Sequence, residues 1–321
     1  MALELADRWI WDFWFAVDGE DVHVFYLQAP RSLGDPDMRH HSATIGHAVS
    51  RDLRNWAVRP DALHPGEPGA FDDLATWTGS VLKVGDRWHM FYTGVSSAEE
   101  GRVQRVGRAS STDLMTWVKH GQVLEADPQW YETLSDGPRE EAWRDPWVWW
   151  DEDSSRFHML LTARAHHGPV DGRGVIGHAS SPDLDRWEAG PPVSDPGEFY
   201  HLEVPQLVHI GDRWRILFCA TDAEHSARRL ARPGVVREGG THYLVADEPL
   251  GPYALERDDF LLGAKRTRHY AGRLLEHRGS WLFFAWEIED DAGRFVGRLS
   301  DPMSVRLDDG VLRVGASSVL F

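Results

Sequence analysis

The chain has 321 residues, and its 34 basic against 51 acidic side chains give a net charge of −17, a field that disfavours nucleic acid and anionic membrane as partners. A single cysteine, Cys219, excludes an intramolecular disulfide and a multi-cysteine metal site. The opening Met1-Ala2-Leu3-Glu4-Leu5-Ala6-Asp7 lacks the basic start and apolar core of a secretion signal, and no later run is long enough to span a bilayer, so a cytoplasmic location is expected.

The first strong run is Trp9-Ile10-Trp11-Asp12-Phe13-Trp14-Phe15, followed after Asp18-Gly19 by Val22-His23-Val24-Phe25-Tyr26-Leu27. A turn dipeptide between two aromatic and β-branched runs predicts a hairpin. A third strand, Ile45 to Ser50, ends in the turn Asp52-Leu53-Arg54-Asn55-Trp56. The same order then restarts at Trp77-Thr78-Gly79-Ser80, at Arg144-Asp145-Pro146-Trp147, at Leu202-Glu203-Val204-Pro205 and at His269-Tyr270-Ala271-Gly272. Aligned on His23, His89, His158, Arg215 and Leu282 in the second strands, the copies step by 66, 69, 57 and 67 residues. So steady a period over the whole length marks a repeat architecture.

Each unit holds about four short strands, the make-up of a propeller blade. The expected fold is therefore an all-β, five-bladed β-propeller with about four antiparallel strands per blade, formed by residues 1–321 as a single domain. Two β-sandwich domains are the rival, disfavoured by five matching first strands. The recurring Asp-Leu-x-x-Trp is assigned to structure, its Asp bonding its own turn and its Trp packing between neighbouring units. His23, His89 and His158 repeat with the scaffold and are assigned to it as well.

In a propeller the first strand of each blade lines the central channel. Asp12 lies 11 residues before His23, Asp145 lies 13 before His158 and Glu203 lies 12 before Arg215, so three acids are expected to face one funnel. The corresponding places in the other copies hold Trp77-Thr78 and His269-Tyr270, an aromatic and hydrogen-bonding wall; Trp11 adjoins Asp12, and Arg144 beside Asp145 can fix hydroxyls of a polar ligand. Three acids on one axis cannot all ionise freely, so at least one should hold its proton near neutral pH. A carboxylate nucleophile beside a protonated carboxylic acid is the pairing that cleaves glycosidic bonds. The acids could instead bind calcium or magnesium, but Arg144 would repel a cation. Neither a metal nor a cofactor is expected.

Trp9-Ile10-Trp11-Asp12, Trp77-Thr78-Gly79-Ser80, Trp143-Arg144-Asp145-Pro146 and Glu203-Val204-Pro205 resemble the four ordered signatures of glycoside hydrolase family 32, the invertase and fructan-hydrolase group related to levansucrases. The resemblance implies Asp12 as nucleophile, Asp145 as transition-state stabiliser and Glu203 as acid/base in a retaining mechanism on a short β-fructofuranoside. The chain departs from the family where Trp11 and Phe13-Trp14-Phe15 replace the Asn before the nucleophile and the Pro-Asn-Gly after it, and where Val204 replaces a Cys. No sequence is left over for the family's C-terminal β-sandwich.

Two other functions fit the same residues. A transglycosylase or phosphorylase would replace water by another acceptor, and Lys265-Arg266-Thr267-Arg268-His269, expected at the funnel entrance, could hold a phosphorylated sugar. A non-catalytic sugar-binding propeller would keep the aromatic wall but would not need three acids. In each case the partner is a small carbohydrate.

Overall fold

The computed structural model describes residues 2–290 and 292–317. Strands β1 (Arg8–Asp18), β2 (Asp21–Pro30), β3 (Thr44–Ser50) and β4 (Ala57–Leu63) form the first antiparallel sheet in chain order. The second contains β5 (Ala75–Val84), β6 (Arg87–Val95), β7 (Gln104–Ser111) and β8 (Val118–Leu124), and the third β9 (Trp143–Asp151), β10 (Arg156–Arg164), β11 (Gly174–Ser181) and β12 (Glu188–Gly190). The fourth sheet is built from β13 (Glu203–Ile210), β14 (Arg213–Ala220), β15 (Gly239–Ala246) and β16 (Leu262–Ala264). In the fifth, β17 (His269–His277) pairs β18 (Ser280–Glu289), which pairs both β19 (Phe295–Leu299) and β20 (Met303–Asp308), and β21 (Val311–Ser317) forms the outer edge. These are five blades in a propeller arrangement.

The blades are held by apolar side chains between them and by repeated local devices. Asp113 accepts the backbone N–H groups of Met115 and Thr116, each at 2.8 Å, and Asp183 those of Asp185 and Arg186 at 3.1 and 2.9 Å. Each such turn puts its Leu at positive φ (Leu53 59°, Leu114 61°, Leu184 69°). The Trp that follows reaches the preceding blade: Trp117 meets Phe25 and Trp187 meets Phe91 edge to face. Two of the three second-strand histidines pair with third-strand partners, His23 with His47 and His158 with His178, each at 2.9 Å and stacked. The ring closes through one main-chain and one side-chain contact, since Leu299 N–H donates to Leu3 O at 3.1 Å and the Arg31 side chain donates from Nη2 to Val296 O at 2.9 Å.

All five inner strands break register at one level. On β1 the ladder slips between Trp11 and Phe13, and on β5 between Trp77 and Gly79, leaving Asp12 and Thr78 as extra residues. On β9, β13 and β17 the slips take in Asp145-Pro146, Val204-Pro205 and Ala271-Gly272. Asp145, Val204 and Ala271 have positive φ of 60°, 55° and 49°. A bulge re-aims the side chain it carries, and here the bulges sit at the channel mouth.

Candidate active site

Strand register places Glu203 one residue away from the level that its distance to Arg215 predicts. The anchors pair as Ala16 with His23, Leu82 with His89, Trp149 with His158, Val208 with Arg215 and Leu275 with Leu282. Counting back from these places Asp12, Thr78, Asp145, Val204 and Ala271 at one level, and Trp11, Trp77, Arg144, Glu203 and Tyr270 one residue earlier. Glu203 is thus the counterpart of Arg144, not of Asp145. The physical reason is hairpin length: the β9–β10 turn is two residues longer than the β1–β2 and β13–β14 turns, so raw offsets mix turn length with position.

Both levels face a cavity of about 820 Å³ that Trp11, Asp12, Trp77, Thr78, Arg144, Asp145, Glu203 and Tyr270 all line. The sequence-predicted acids and their neighbours therefore converge. His269 is not among the lining residues; it stands opposite Glu287 on β18, one position before the inward-facing Tyr270. Residues 265–269 do not line the cavity either. They touch residues that do: Arg266 Nη2 lies 2.5 Å from Oε1 of the lining residue Glu289, and Arg268 O accepts the N–H of the lining residue Ile288 at 2.9 Å.

Asp12 is half-buried, and Thr78 Oγ1 donates to its Oδ2 at 2.6 Å. Burial and the nearby Asp145 raise its pKa from the ordinary 3.8 to about 7. Asp145 is buried and anchored from three sides. Its Oδ2 accepts Thr162 Oγ1 at 2.7 Å and Val204 N–H at 3.1 Å, and its own N–H donates to Thr93 Oγ1 at 3.0 Å. Desolvation holds its pKa above the usual carboxylate range despite the opposing pull of Arg144.

Glu203 is gripped by two donors, Arg144 Nη2 on Oε1 and the Tyr270 hydroxyl on Oε2. Arg144 in turn donates from Nη1 to Gln104 Oε1 and Glu140 Oε1, both at 2.9 Å. The guanidinium fork thus aims one carboxylate while being aimed by two acceptors. Below the acids, buried Arg273 donates to Phe13 O at 3.3 Å, Val204 O at 3.2 Å and Pro205 O at 2.7 Å, binding the bulges of blades one, four and five together.

Several lining residues carry no repeat signal. Arg39, His40 and His41 lie on the 3-10 segment Pro36–Ser42 between β2 and β3; Trp286 and Phe295 come from blade five; and His201 precedes β13. Position 40 is held by Trp77 Nε1, which donates to its carbonyl at 2.7 Å. Buried His201 places Nδ1 3.1 Å from Glu224 Oε1, and burial lowers its pKa to about 3, so its ring is neutral. His201, Glu203 and Glu224 offer ligand atoms within 4.8 Å of one another, the one such group among the described residues. Arg144 already pairs with Glu203, and Glu224 accepts Thr221 N–H at 2.7 Å, so both carboxylates are satisfied without an ion, while the buried Nε2 of His201 has no hydrogen-bond partner among the described residues.

Two acids at one level of the funnel and a third one residue further out, the outer one gripped by an arginine and a tyrosine, all come from the four motifs. The model of the glycosyl hydrolases family 32 N-terminal domain matches residues 15–243. The chain belongs to glycosyl hydrolase family 32. Among curated family relatives, the chain is 27% identical over 277 residues to sucrose-6-phosphate hydrolase of Bacillus subtilis, an alignment covering 84% of this chain and 52% of that protein. This family 32 chain thus spans about half the length of that relative. Among solved structures it is similar to inulosucrase from Halalkalicoccus jeotgali bound to kestose, at a TM-score of 0.80 and 24% identity, covering 97% of this chain and 87% of that one. It is also similar to fructan 1-exohydrolase IIa from Cichorium intybus, at a TM-score of 0.69 and 19% identity, covering 98% and 59% respectively.

Proposed function

We propose that the chain is a retaining glycosidase that releases a terminal fructosyl unit from a short β-fructofuranoside. The observation that carries this reading is the division of labour among the acids: Asp12 and Asp145 sit on matching bulges at the floor, and Glu203 is held one level out by Arg144 and Tyr270. An Asp12 oxygen attacks the anomeric carbon while Glu203 gives its proton to the glycosidic oxygen, so the bond to the leaving sugar breaks as the fructosyl ester forms. Glu203 then takes a proton from water, whose oxygen attacks the anomeric carbon, so the bond from that carbon to the Asp12 oxygen breaks and Asp12 is freed. Asp145 faces the ring hydroxyls, where hydrogen bonds strengthen as positive charge develops at the anomeric carbon.

The relatives support a fructoside as substrate. One is named a sucrose-6-phosphate hydrolase, and a solved neighbour holds kestose. A second reading, transfer of the fructosyl unit to a sugar acceptor, is favoured by the cavity of about 820 Å³, near the upper end of ordinary ligand pockets and roomy enough for an acceptor beside the leaving group. Both readings are tested by incubating the protein with sucrose, sucrose phosphate, short fructans and an aryl β-fructofuranoside, with and without phosphate. Free fructose with first-formed β configuration is expected. Products longer than the substrate at high sucrose would favour transfer, phosphate-dependent turnover a phosphorylase, and binding without turnover of any of them a sugar-binding module.

A further inference from the structure

We infer that Arg39 is a further substrate-binding residue that reads oxygen atoms of the glycone, the sugar unit attached to Asp12 during the reaction; this rests on the reading of the funnel as a furanoside site. Arg39 comes from the segment between β2 and β3, lines the cavity and is only 9% exposed. Its guanidinium lies over three aromatic rings, 5.6 Å from the centroid of Trp11, 5.4 Å from Trp286 and 5.3 Å from Phe295.

Such a cage fixes a cation but supplies no oxygen acceptor. Among the described residues the guanidinium makes one hydrogen bond, from Nη1 to Pro36 O at 2.8 Å, and its buried Nε has no partner. Its ion-pair partner, Asp37, is 3.6 Å away and 95% exposed, too wet to compensate burial. A buried guanidinium with unused donors is costly unless a ligand completes it.

Its position says which part of a ligand that is. Trp11 is the residue before Asp12, and the Asp12 charge acts on the Arg39 guanidinium. Glu203, which meets the leaving group, is on blade four, whereas Arg39 and Asp12 share blade one. The residues flanking Asp12 are Trp11 and Phe13, which offer few donors for sugar oxygens. Arg39 supplies the missing donors from the neighbouring loop. The oxygen it meets belongs either to a hydroxyl or to an anionic substituent such as phosphate on the glycone, and both present the same acceptor chemistry to a guanidinium.

The test compares wild type, Arg39→Lys and Arg39→Met on aryl fructofuranosides with an intact glycone, single deoxy glycones and a 6-phosphorylated glycone. Arg39→Met keeps the stem against the rings and removes the donors. It should raise KM for the intact glycone roughly 10–100-fold, as for lost charged hydrogen bonds, with a smaller fall in kcat. At least one deoxy glycone should lose the same factor on wild type and nothing further on Arg39→Met. Preference of wild type, but not of Arg39→Met, for the phosphorylated glycone would identify the oxygen as phosphate; equal treatment would identify a hydroxyl. Losses of equal size on every glycone, or an unchanged KM, would overturn the proposal. If Arg39→Met does not fold, wild-type sensitivity to deoxygenation and the Arg39→Lys values decide, and no sensitivity overturns it. If wild type turns over no furanoside, the functional reading fails separately, and calorimetric binding of free monosaccharides to wild type and Arg39→Met tests Arg39: a difference supports it and none overturns it.

Discussion

Thr78 of blade two donates its hydroxyl to Asp12 of blade one at 2.6 Å, so one carboxylate oxygen is committed to the protein and the other is left for chemistry. This bond favours the ionised form of Asp12, against burial and the neighbouring acids. Thr78→Val should therefore raise the pKa of Asp12 still further above about 7. In kcat/KM against pH, the acid limb should move to higher pH, with activity several-fold lower near pH 6 and converging on wild type above about pH 8.

Asp12 also sets a pH dependence of stability. Its folded pKa of about 7 exceeds the ordinary 3.8, so the folded state holds a proton that the unfolded chain has released. The associated stability is fully present below 3.8 and is lost as pH rises through about 7. Asp12→Asn removes the buried charge, so its melting temperature should exceed that of wild type at pH 8 and match it near pH 4. The gain at pH 8 should be ~1–2 kcal/mol, less than the full shift implies because the carboxyl is partly open to the funnel. Asp12→Ala should abolish turnover, and azide should restore part of it on an activated substrate. Near-normal turnover without azide would remove Asp12 from the nucleophile's role.

Glu203 and Tyr270 make a separable pair. Glu203→Ala should lower kcat/KM for sucrose by roughly 10²–10⁴-fold while sparing aryl fructosides whose leaving group needs no proton. Tyr270→Phe removes one of the two groups aiming Glu203 and should act in the same direction but more weakly. Equal losses on good and poor leaving groups would mean that Glu203 does not protonate the leaving group.

Asp145→Asn preserves the shape and one acceptor while removing the charge. It should lower kcat far more than it raises KM, as for contacts that strengthen in the transition state. The opposite split, measured on an aryl fructofuranoside, would make Asp145 a ground-state binder.

The scaffold was legible because all five blades repeat the same order of strands and three of them repeat the same turn chemistry: the Asp of Asp-Leu-x-x-Trp caps its own turn, and Trp117 and Trp187 pack on the preceding blade. The inner-strand acids were legible because charge interrupts aromatic runs at recurring places. Their vertical order was not, since Glu203 lies one residue before the bulge that displays Asp145 in blade three, and turn length hid that step. His269 is separated from the funnel by that same single residue, because alternate strand residues face opposite ways. Arg39 and His201 left no signal, since they lie in connections whose path depends on the blades beneath them. Their surroundings follow from contacts 23 or more residues away in sequence, as with the hydroxyl-bearing Thr78 and its distant partner Asp12.

Ring closure has a kinetic meaning. Arg273 Nε meets Phe13 O across 260 residues of chain, in the same seam where Leu3 pairs with Leu299. Blades three and four meet as sequence neighbours, since Asp145 Oδ2 accepts the Val204 N–H, but Arg273 ties blade one, which carries Asp12, to blade four, which carries Glu203, only once that seam shuts, and contacts of such long range form slowly. On dilution from denaturant, β-structure should therefore return before the ability to turn over substrate, and the interval between them measures how long the molecule exists as an open crescent of finished blades.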